Sequence, residues 1–186
     1  MNAAHLDFCG SDEWRQMLVE LVLPYALAGV QLGDEVLEVG PGPGLVTDHL
    51  RDTVARMVAI ELDESLADAL RARFAGSNVE VVHGDATDMP FADGRFTGAV
   101  SFTMLHHVPT PRLQDQLFAE VARVLAPDAR FVASDSVASA DLAAFHEDDV
   151  YNPVEPATVA RRLEAAGFHT VDVKSHELGW AATAIR

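Results

Sequence analysis

Short apolar runs alternate with amphipathic segments along most of this chain of 186 residues. The runs EVLEVG, ARMVAIE, VEVVHG, FTGAVSF and ARFVASDS each have the length of one β-strand, whereas SLADALRARF and PRLQDQLFAEVARVL have helical spacing. Strands that alternate with helices form a mostly parallel sheet with helices on both faces. We therefore predict an α/β fold with a doubly wound sheet.

The segment before the first strand, SDEWRQMLVELVLPYALAGV, has the pattern of an amphipathic helix. Ser11 is the expected N-cap, because a serine side chain accepts a hydrogen bond from a free backbone N–H of the first turn. A kink or break is expected at Pro24. The predicted apolar stripe consists of Trp14, Leu18, Leu21, Val22 and Tyr25.

The pattern changes after residue 136. SADLAAFHEDD suggests a short helix, and PATVARRLEAAGF a longer one that ends at Gly167. The last segment, HTVDVKSHELGWAATAIR, predicts two strands joined by a turn near Glu177 to Gly179. This hairpin would add an antiparallel strand to the parallel sheet.

Charge and cysteine content exclude some classes of protein. The net charge of −16, with no cluster of Arg or Lys, predicts that the chain does not bind nucleic acid. Cys9 is the only cysteine, which excludes an internal disulfide and a thiolate metal cluster within one chain.

A glycine-rich turn, VLEVGPGPGLVT, follows the first predicted strand. Its spacing differs from the dinucleotide fingerprint G-x-G-x-x-G, because the third glycine comes one residue early. Pro41 and Pro43 also remove two backbone N–H groups that would otherwise bind a pyrophosphate. Glu38 places a carboxylate beside the turn, where it would repel phosphate and attract a cation. The turn therefore favours a positively charged ligand.

Two further acids follow the next two strands, Glu61 in AIELD and Asp85 in HGDATDMPF. An acid about 20 residues after a glycine turn typically binds the hydroxyls of a ribose. Three acids at successive strand ends, with no basic residue among them, indicate a nucleoside that lacks phosphates. S-adenosylmethionine, which carries an ammonium and a sulfonium, is such a ligand.

These residues resemble the class I S-adenosylmethionine-dependent methyltransferases, especially the small-molecule group with an LHH segment after the fourth strand. The resemblance covers residues 34–136 and depends on the ordered set VLEVGPGPG, AIELD, GDATDMPF, SFTMLHHV and EVARVLAPDARFVASDS. It implies a Rossmann-like sheet with strand order 3-2-1-4-5-7-6 and strand 7 antiparallel. That order agrees with the C-terminal hairpin.

The resemblance implies that Glu38 and the glycines Gly40, Gly42 and Gly44 hold the methionine end of S-adenosylmethionine. Phe102, after the fourth strand, would lie beside the methionine moiety.

The adenosine end is assigned in the same way. Glu61 would bind the ribose, Leu62 one face of the adenine, and Asp85 with Ala86 the adenine edge.

The sequence departs from the family pattern at two places. The family commonly has Phe-Asp before the fourth strand, whereas this chain has Phe96 and Thr97, so the carboxylate of that Asp is missing here. In APDARF, Asp128 and Ala129 replace a glycine pair, which disfavours a turn with positive φ.

His106 and His107 are the candidate catalytic residues, because the resemblance places their loop beside the methyl-transfer region. A histidine with a near-neutral pKa removes a proton from a hydroxyl acceptor. The segment from His146 to Asp149 offers oxygen and nitrogen ligands for a divalent metal, together with Asp135 and with His106 or His107. No metal motif matches this spacing, and an acidic run is usually a solvated face, so we predict no metal site.

We predict a single domain over residues 1–186, with an N-terminal helical lid segment (1–33), a cofactor-binding core (34–136) and a C-terminal helix and β-hairpin (137–186). No apolar stretch approaches the roughly 18 residues of a membrane span, and no secretory signal is evident. We expect a cytoplasmic protein with no membrane partner, and the sequence leaves the oligomeric state open.

The predicted function is methyl transfer from S-adenosylmethionine to a small-molecule acceptor, with an O, N or C acceptor atom left open. The alternatives are an S-adenosylmethionine-binding protein without catalysis and an NAD(P)-dependent oxidoreductase. Against the latter, neither Tyr25 nor Tyr151 is followed four residues later by the Lys of short-chain reductases. The acceptor would contact the first helix and residues 104–112 and 136–156.

Overall fold

A computed structural model describes residues 2–186, which contain one seven-stranded sheet. The strands are β1 (Glu35–Val39), β2 (Arg56–Glu61), β3 (Val79–His83), β4 (Phe96–Phe102), β5 (Leu125–Ser136), β6 (His169–Ser175) and β7 (Gly179–Ile185). Their order is β3-β2-β1-β4-β5-β7-β6. β7 pairs antiparallel with β5 and β6, and the other neighbours are parallel. The predicted α/β fold, strand order and C-terminal hairpin are confirmed.

Helices cover both faces of this sheet and also form the N-terminal segment. They are α1 (Ala3–Cys9), α2 (Asp12–Met17), α3 (Leu23–Leu27), α4 (Leu45–Leu50), α5 (Glu64–Arg73), α6 (Pro111–Val124), α7 (Ala140–Phe145) and α8 (Pro156–Ala165). A π-helical turn (Leu18–Val22) joins α2 to α3, and a 3₁₀ turn (Leu105–His107) follows β4. The described residues contain no helix long and apolar enough to cross a membrane.

The central strands are buried on both faces, which explains their nearly continuous apolar sequences. Because side chains alternate along a strand, Leu37 and Val58 join the core under α6 and α8, whereas Val36 and Met57 join the core under α3 and α4. The parallel register pairs Val39 of β1 with Ile60 of β2, so the carboxyl ends of these strands meet at one edge.

The N-terminal segment differs from the predicted single stripe. Ser11 caps α2 as predicted, with its Oγ 3.1 Å from the backbone N of Trp14. After Leu18, however, Leu21 is exposed, and the buried side chains are Leu23 and Ala26. The π-helical turn contains one more residue per turn than an α-helix, so the buried face moves one position along the chain. Val22 and Tyr25 of the predicted stripe are partly buried against the same core.

The two departures from the family pattern have structural explanations. The Oγ1 of Thr97 accepts a hydrogen bond from the backbone N of Glu35 at 2.9 Å and lies 3.1 Å from the carbonyl oxygen of the same residue. Asp128 has φ = 65°, so the expectation that this turn avoids positive φ was wrong. Aspartate is one of the few residues other than glycine that tolerates this region, and the backbone N–H of Asp128 donates to the carbonyl of Arg186 at 3.0 Å.

Replacing Gly98 with Ala is expected to destabilise the fold. A Cβ at Gly98 would collide with the backbone carbonyl oxygen of Leu32, and a backbone atom cannot move aside as a flexible side chain can. We expect a loss of about 1–3 kcal/mol in the free energy of unfolding, measured by urea denaturation. The control is Gly10→Ala, where the nearest atom to a new Cβ is Leu6 O at 3.5 Å. Equal stability of the two variants would contradict the prediction.

Candidate active site

The loops that follow β1 to β4 enclose a cavity of about 580 Å³ at the carboxyl edge of the sheet. Ligand sites in open α/β sheets form at this edge, where the strand order reverses between β1 and β4. Nine of the predicted site residues line the cavity: Glu38, Gly40, Gly42, Glu61, Leu62, Asp85, Ala86, Phe102 and His107. Gly44 and His106, also predicted, lie outside this lining.

The glycine turn follows β1 and adopts a backbone conformation that favours glycine at each of its three positions. Gly40, Gly42 and Gly44 have φ values of 69°, 52° and 81°. A Cβ at Gly40 would collide with the Met104 side chain, and a Cβ at Gly44 would lie 2.6 Å from Leu70 Cδ2. Packing within the chain therefore favours glycine at Gly40 and Gly44. Gly44 is also the N-cap residue of α4.

The carboxyl group of Glu38 is the most deeply buried acid of the cavity, with 2% of the residue exposed. Its Oε2 accepts a hydrogen bond from the Thr47 hydroxyl at 2.6 Å. The pKa of Glu38 is raised from 4.5 to about 7. Burial is the main cause and the nearby Glu61 adds to it, whereas the hydrogen bond from Thr47 acts in the opposite direction. A ligand cation beside Glu38 would favour the ionised carboxylate.

Glu61 and Asp85 are held by backbone groups at the ends of β2 and β3. Oε2 of Glu61 accepts a hydrogen bond from the N–H of Gly42 at 3.1 Å, and Oε1 accepts one from Asp63 at 3.0 Å. Oδ1 of Asp85 accepts both the N–H and the hydroxyl of Thr87 at 2.8 Å. These bonds fix the carboxylates without occupying all of their lone pairs. Leu62 is 67% exposed at the cavity wall, where it offers an apolar surface to a flat ring.

The lining carries five acids and, among the described residues 2–186, neither Arg nor Lys. Asp63 and Asp149 add to the three acids that the sequence analysis identified. Such a field attracts cations and disfavours a pyrophosphate.

The two candidate catalytic histidines occupy different positions. His107 lines the cavity, whereas His106 lines a smaller neighbouring cavity of about 80 Å³ and is 5% exposed. Asp135 anchors His106, because its Oδ1 lies 2.7 Å from His106 Nδ1 and its Oδ2 accepts the backbone N–H at 2.9 Å.

The pKa of His107 is lowered from 6.5 to about 3, mainly by burial and then by the neighbouring His106 and His5. Burial likewise lowers the pKa of His5 to about 4. Both imidazoles are therefore neutral at neutral pH, and His107 is a weaker base than the near-neutral histidine expected from the sequence.

The N-terminal segment and the α7–α8 connection close the cavity on the side away from the sheet. Trp14 and Leu18 line it from one direction and Val150 from the other. Two other large aromatic residues lie outside this lining: Trp180 is fully buried in the core, and Tyr25 packs edge-on against His176 with ring centroids 5.1 Å apart.

Two residues near the cavity have no sequence signal that would have identified them. Thr47 binds Glu38, and His5 belongs to a helix, α1, that was not predicted from the sequence. His5 reaches His106 and His107 across about 100 positions of sequence, with ring centroids 6.1 and 4.8 Å apart. Such a contact depends on the tertiary path of the N-terminus and leaves no periodic pattern.

Comparison with known proteins identifies the family. The family model described as "Methyltransferase domain" matches residues 37–133, which is more than half of the chain. The chain belongs to this methyltransferase family. The recognition of a class I S-adenosylmethionine-dependent methyltransferase is thus confirmed, whereas its small-molecule group stays a prediction. S-adenosylmethionine is the cofactor that the family implies, and the oxidoreductase alternative was wrong.

Among individual relatives, demethylmenaquinone methyltransferase of Clavibacter sepedonicus is 34% identical over 125 residues, which are 66% of this chain and 47% of the relative. Ribosomal RNA small subunit methyltransferase A of Geobacter sulfurreducens is 34% identical over 94 residues, which are 47% of this chain and 34% of the relative. The match to this chain thus spans less than half of the length of each of these two curated relatives.

The fold also resembles solved structures. The crystal structure of a SAM dependent methyltransferase from Aquifex aeolicus matches with a TM-score of 0.74 and 18% identity, over 100% of this chain and 98% of that one. At this identity the likeness shows the fold alone.

The prediction that excluded nucleic acid was wrong. Several relatives are ribosomal RNA small subunit methyltransferases A, including those of Geobacter sulfurreducens, Parasynechococcus marenigrum and Geobacter metallireducens. The net charge of −16 is a property of the whole chain and does not determine what a single surface or cavity binds.

The residues present fit S-adenosylmethionine. The buried Glu38 suits its ammonium, the anchored Glu61 and Asp85 have free lone pairs for hydroxyl and amino groups, and the exposed apolar Leu62 suits an adenine face. The absence of Arg and Lys from the described lining matches a ligand without phosphates.

Replacing Glu38 with Gln is expected to stabilise the ligand-free protein at high pH. The native pKa of Glu38, about 7, lies above its ordinary value of 4.5. The protonated form therefore contributes stability that is lost as the pH rises through 7. A shift of this size corresponds to on the order of 3 kcal/mol at about pH 8. E38Q stays uncharged, so its advantage in urea denaturation should grow from near zero at acidic pH to that value.

The matched control is Glu177→Gln, an exposed carboxylate in the turn between β6 and β7. It should change the free energy of unfolding little at either pH. If E38Q and E177Q had the same pH dependence, burial of Glu38 would not be the cause.

Replacing Gly42 with Val is expected to abolish S-adenosylmethionine binding while the fold remains. Gly42 lines the cavity, so a branched side chain would occupy the space of the ligand. Gly76→Val is a matched control, because Gly76 has φ = 77° against 52° for Gly42 and no atom lies within 4 Å of its Cβ position. Both variants carry similar backbone strain. Calorimetric titration should show lost binding only for G42V, and equal affinities would refute this placement.

Proposed function

We propose that the chain transfers a methyl group from S-adenosylmethionine to a small-molecule acceptor bound in the same 580 Å³ cavity. The observation that carries this proposal is the lining of this one cavity, which combines carboxylates at the strand ends with apolar side chains of the N-terminal segment and of the later loops. We call the part lined by Glu38, Glu61 and Asp85 the acid-lined end, and the part lined by Trp14, Leu18 and Val150 the apolar end. Its volume lies within the range of about 300–1,000 Å³ that is typical of small-ligand pockets.

The acid-lined end is proposed to bind the cofactor. Glu38 would hold the ammonium, Glu61 the ribose hydroxyls, and Asp85 the adenine edge. Each of these carboxylates is fixed by a hydrogen bond from Thr47, Gly42 or Thr87 respectively, so little side-chain entropy would be lost on binding. Leu62 and Ala86 would contact the adenine ring, and Phe102 the methionine moiety.

The apolar end is proposed to bind the acceptor. Trp14, Leu18, Met104 and Val150 are its apolar residues, and His107 and Asp149 are polar residues of the same lining. Aromatic and aliphatic walls with few polar groups are typical of pockets for small organic molecules. The acceptor atom, O, N or C, would be selected by its position relative to His107.

S-adenosylmethionine supplies a methyl group on a sulfonium, which an acceptor lone pair attacks. The protein then contributes mainly position, because holding the reactants in line replaces much of the entropy that the reaction would otherwise lose. We propose that neutral His107 orients the acceptor through a hydrogen bond. His106, bonded twice to Asp135, would position the loop that carries His107.

We also propose that residues 1–186 act as one domain, with residues 1–33 as a lid over the core of 34–136. Support comes from Asn2, the N-cap residue of α1, whose backbone N–H donates to Asp149 Oδ2 at 2.9 Å. The side-chain amide of Asn2 also donates to the carbonyl of Phe145 at 3.0 Å. These contacts connect the lid segment to the residues beyond β5 across the cavity mouth.

The test is methyl transfer with the whole chain. The protein is incubated with S-adenosylmethionine and a panel of phenols, quinols, amines, carboxylic acids and a ribosomal RNA fragment, and S-adenosylhomocysteine is measured. We expect the wild-type chain to form S-adenosylhomocysteine with at least one small molecule. The G42V variant, which is expected not to bind the cofactor, should form none with any acceptor.

Three outcomes would count against the proposal in distinguishable ways. Product with the RNA fragment alone would refute the small-molecule acceptor. Cofactor binding without product under any condition would favour a binding protein without catalysis. A melting temperature that rises with NAD but not with S-adenosylhomocysteine would refute the cofactor assignment.

A further inference from the structure

Four histidines converge beside the cavity, and the proposed methyl transfer gives a role to only two of them, His106 and His107. They are His5 of α1, His106 and His107 of the 3₁₀ turn, and His146 at the C-terminus of α7. Each offers one ring nitrogen, and these four atoms lie within 4.8 Å of one another. Their ring centroids are 4.2 to 6.1 Å apart.

The converging nitrogens are buried and lack hydrogen-bond partners. His5, His106 and His146 are only 4–5% exposed. Within the described chain, His5 Nδ1 and the Nε2 atoms of His106, His107 and His146 have no hydrogen-bond partner. A buried polar atom without a hydrogen-bond partner destabilises the fold, so four of them in one place need an explanation.

The opposite ring nitrogens of two of these histidines are held in the manner of metal ligands. His106 Nδ1 lies 2.7 Å from Asp135 Oδ1, and His146 Nδ1 lies 2.6 Å from the carbonyl oxygen of Leu142. An oxygen acceptor at Nδ1 requires the proton there, so each Nε2 presents a lone pair to the cluster. Metal-bound histidines usually donate their other ring N–H to a carboxylate or a backbone carbonyl in this way.

We propose that His5, His106, His107 and His146 bind one divalent first-row transition-metal ion, of which zinc fits best. Imidazole nitrogens suit zinc, copper, iron and nickel, whereas calcium and magnesium require oxygen ligands. With Zn–N bonds of about 2.0–2.1 Å, the nitrogens of a tetrahedral site lie roughly 3.3 Å apart. Movements of less than about 1 Å per ring would bring the four atoms to that spacing.

The surroundings of the cluster suit a cation. Asp149 Oδ2 lies 3.7 Å from His5 Nδ1 and 4.0 Å from His107 Nδ1, and Asp135 binds His106. Two carboxylates thus stand beside the four imidazoles, and their charges would compensate a divalent ion.

The proposed site departs from the prediction of no metal. It also differs from the set of possible ligands in the sequence, which was the segment from His146 to Asp149 with Asp135 and one other histidine. Of the three acidic residues of that segment, Glu147 and Asp148 are exposed, whereas Asp149 lies beside the cluster. His5 takes part instead, so the ion would join the N-terminal helix α1 to the loop after β4 and to the end of α7. The proposal does not depend on whether the protein transfers methyl groups.

Metal binding is tested on the wild-type chain after treatment with EDTA and dialysis. Titration with Zn²⁺ in a calorimeter should show one ion bound per chain, and the melting temperature should rise by several degrees. Co²⁺ should give the intense visible absorption of a tetrahedral nitrogen site. Failure to bind Zn²⁺ or Co²⁺ above the level of a control variant would overturn the proposal without affecting the methyl-transfer assignment.

His5→Phe is the first variant, because a phenyl ring retains the packing of His5 on Phe145, whose ring centroid is 4.9 Å away. It should weaken Zn²⁺ binding by at least about tenfold and alter the Co²⁺ spectrum. His146→Phe should do the same, and either variant that remains folded suffices. The controls are His49→Phe and His169→Phe, which change exposed histidines outside the cluster. Equal Zn²⁺ affinity in H5F, H146F and the controls would also overturn the proposal.

Discussion

The parallel pairing of β1 with β2 on one side and with β4 on the other is the constraint on which the rest of the structure depends. Parallel strands deliver their carboxyl ends to the same edge, so the residues that follow them meet although they are distant in sequence. Close approach of the chain at Gly98 allows β4 to lie beside β1, since any side chain there would meet the carbonyl of Leu32. Glu38, Glu61 and Phe102 share a cavity because of that pairing.

The part of the site that the sequence predicted is the part that depends on strand ends. Glu38, Glu61 and Asp85 were identified because each comes at a fixed place relative to a recognisable strand, and the register then brings them together. Strand periodicity is a local property, so the fold class and the sheet order followed from it and from the family resemblance.

The rest required tertiary information. His5 meets His107 only because α1 folds back over the loop after β4, and nothing in the sequence of α1 indicates where it will lie. The conformation of Asp128 was also mispredicted, because a hydrogen bond to the C-terminal residue holds it at positive φ without glycine. The low pKa of His107 depends on burial among other histidines, which a sequence read one residue at a time does not show.

The acids of the cavity illustrate the difference between global and local charge. The chain as a whole is strongly acidic, and so is the cofactor end of the cavity, yet relatives of this domain include enzymes named for ribosomal RNA. The acidic lining bears on the cofactor and excludes no class of acceptor. Exclusion of a class of acceptor from net charge alone was therefore too strong an inference.

The π-helical turn at Leu18–Val22 separates two tasks within one N-terminal segment. Before the turn, Trp14 faces the cavity, and after it, Leu23 and Ala26 face the sheet. Leu18, at the start of the turn, takes part in both tasks, because it lines the cavity and is buried in the same core as Leu23 and Ala26. Trp14 lines the cavity and is only partly buried, so it is the position of this segment at which a substitution can change the cavity wall with the least loss of core packing.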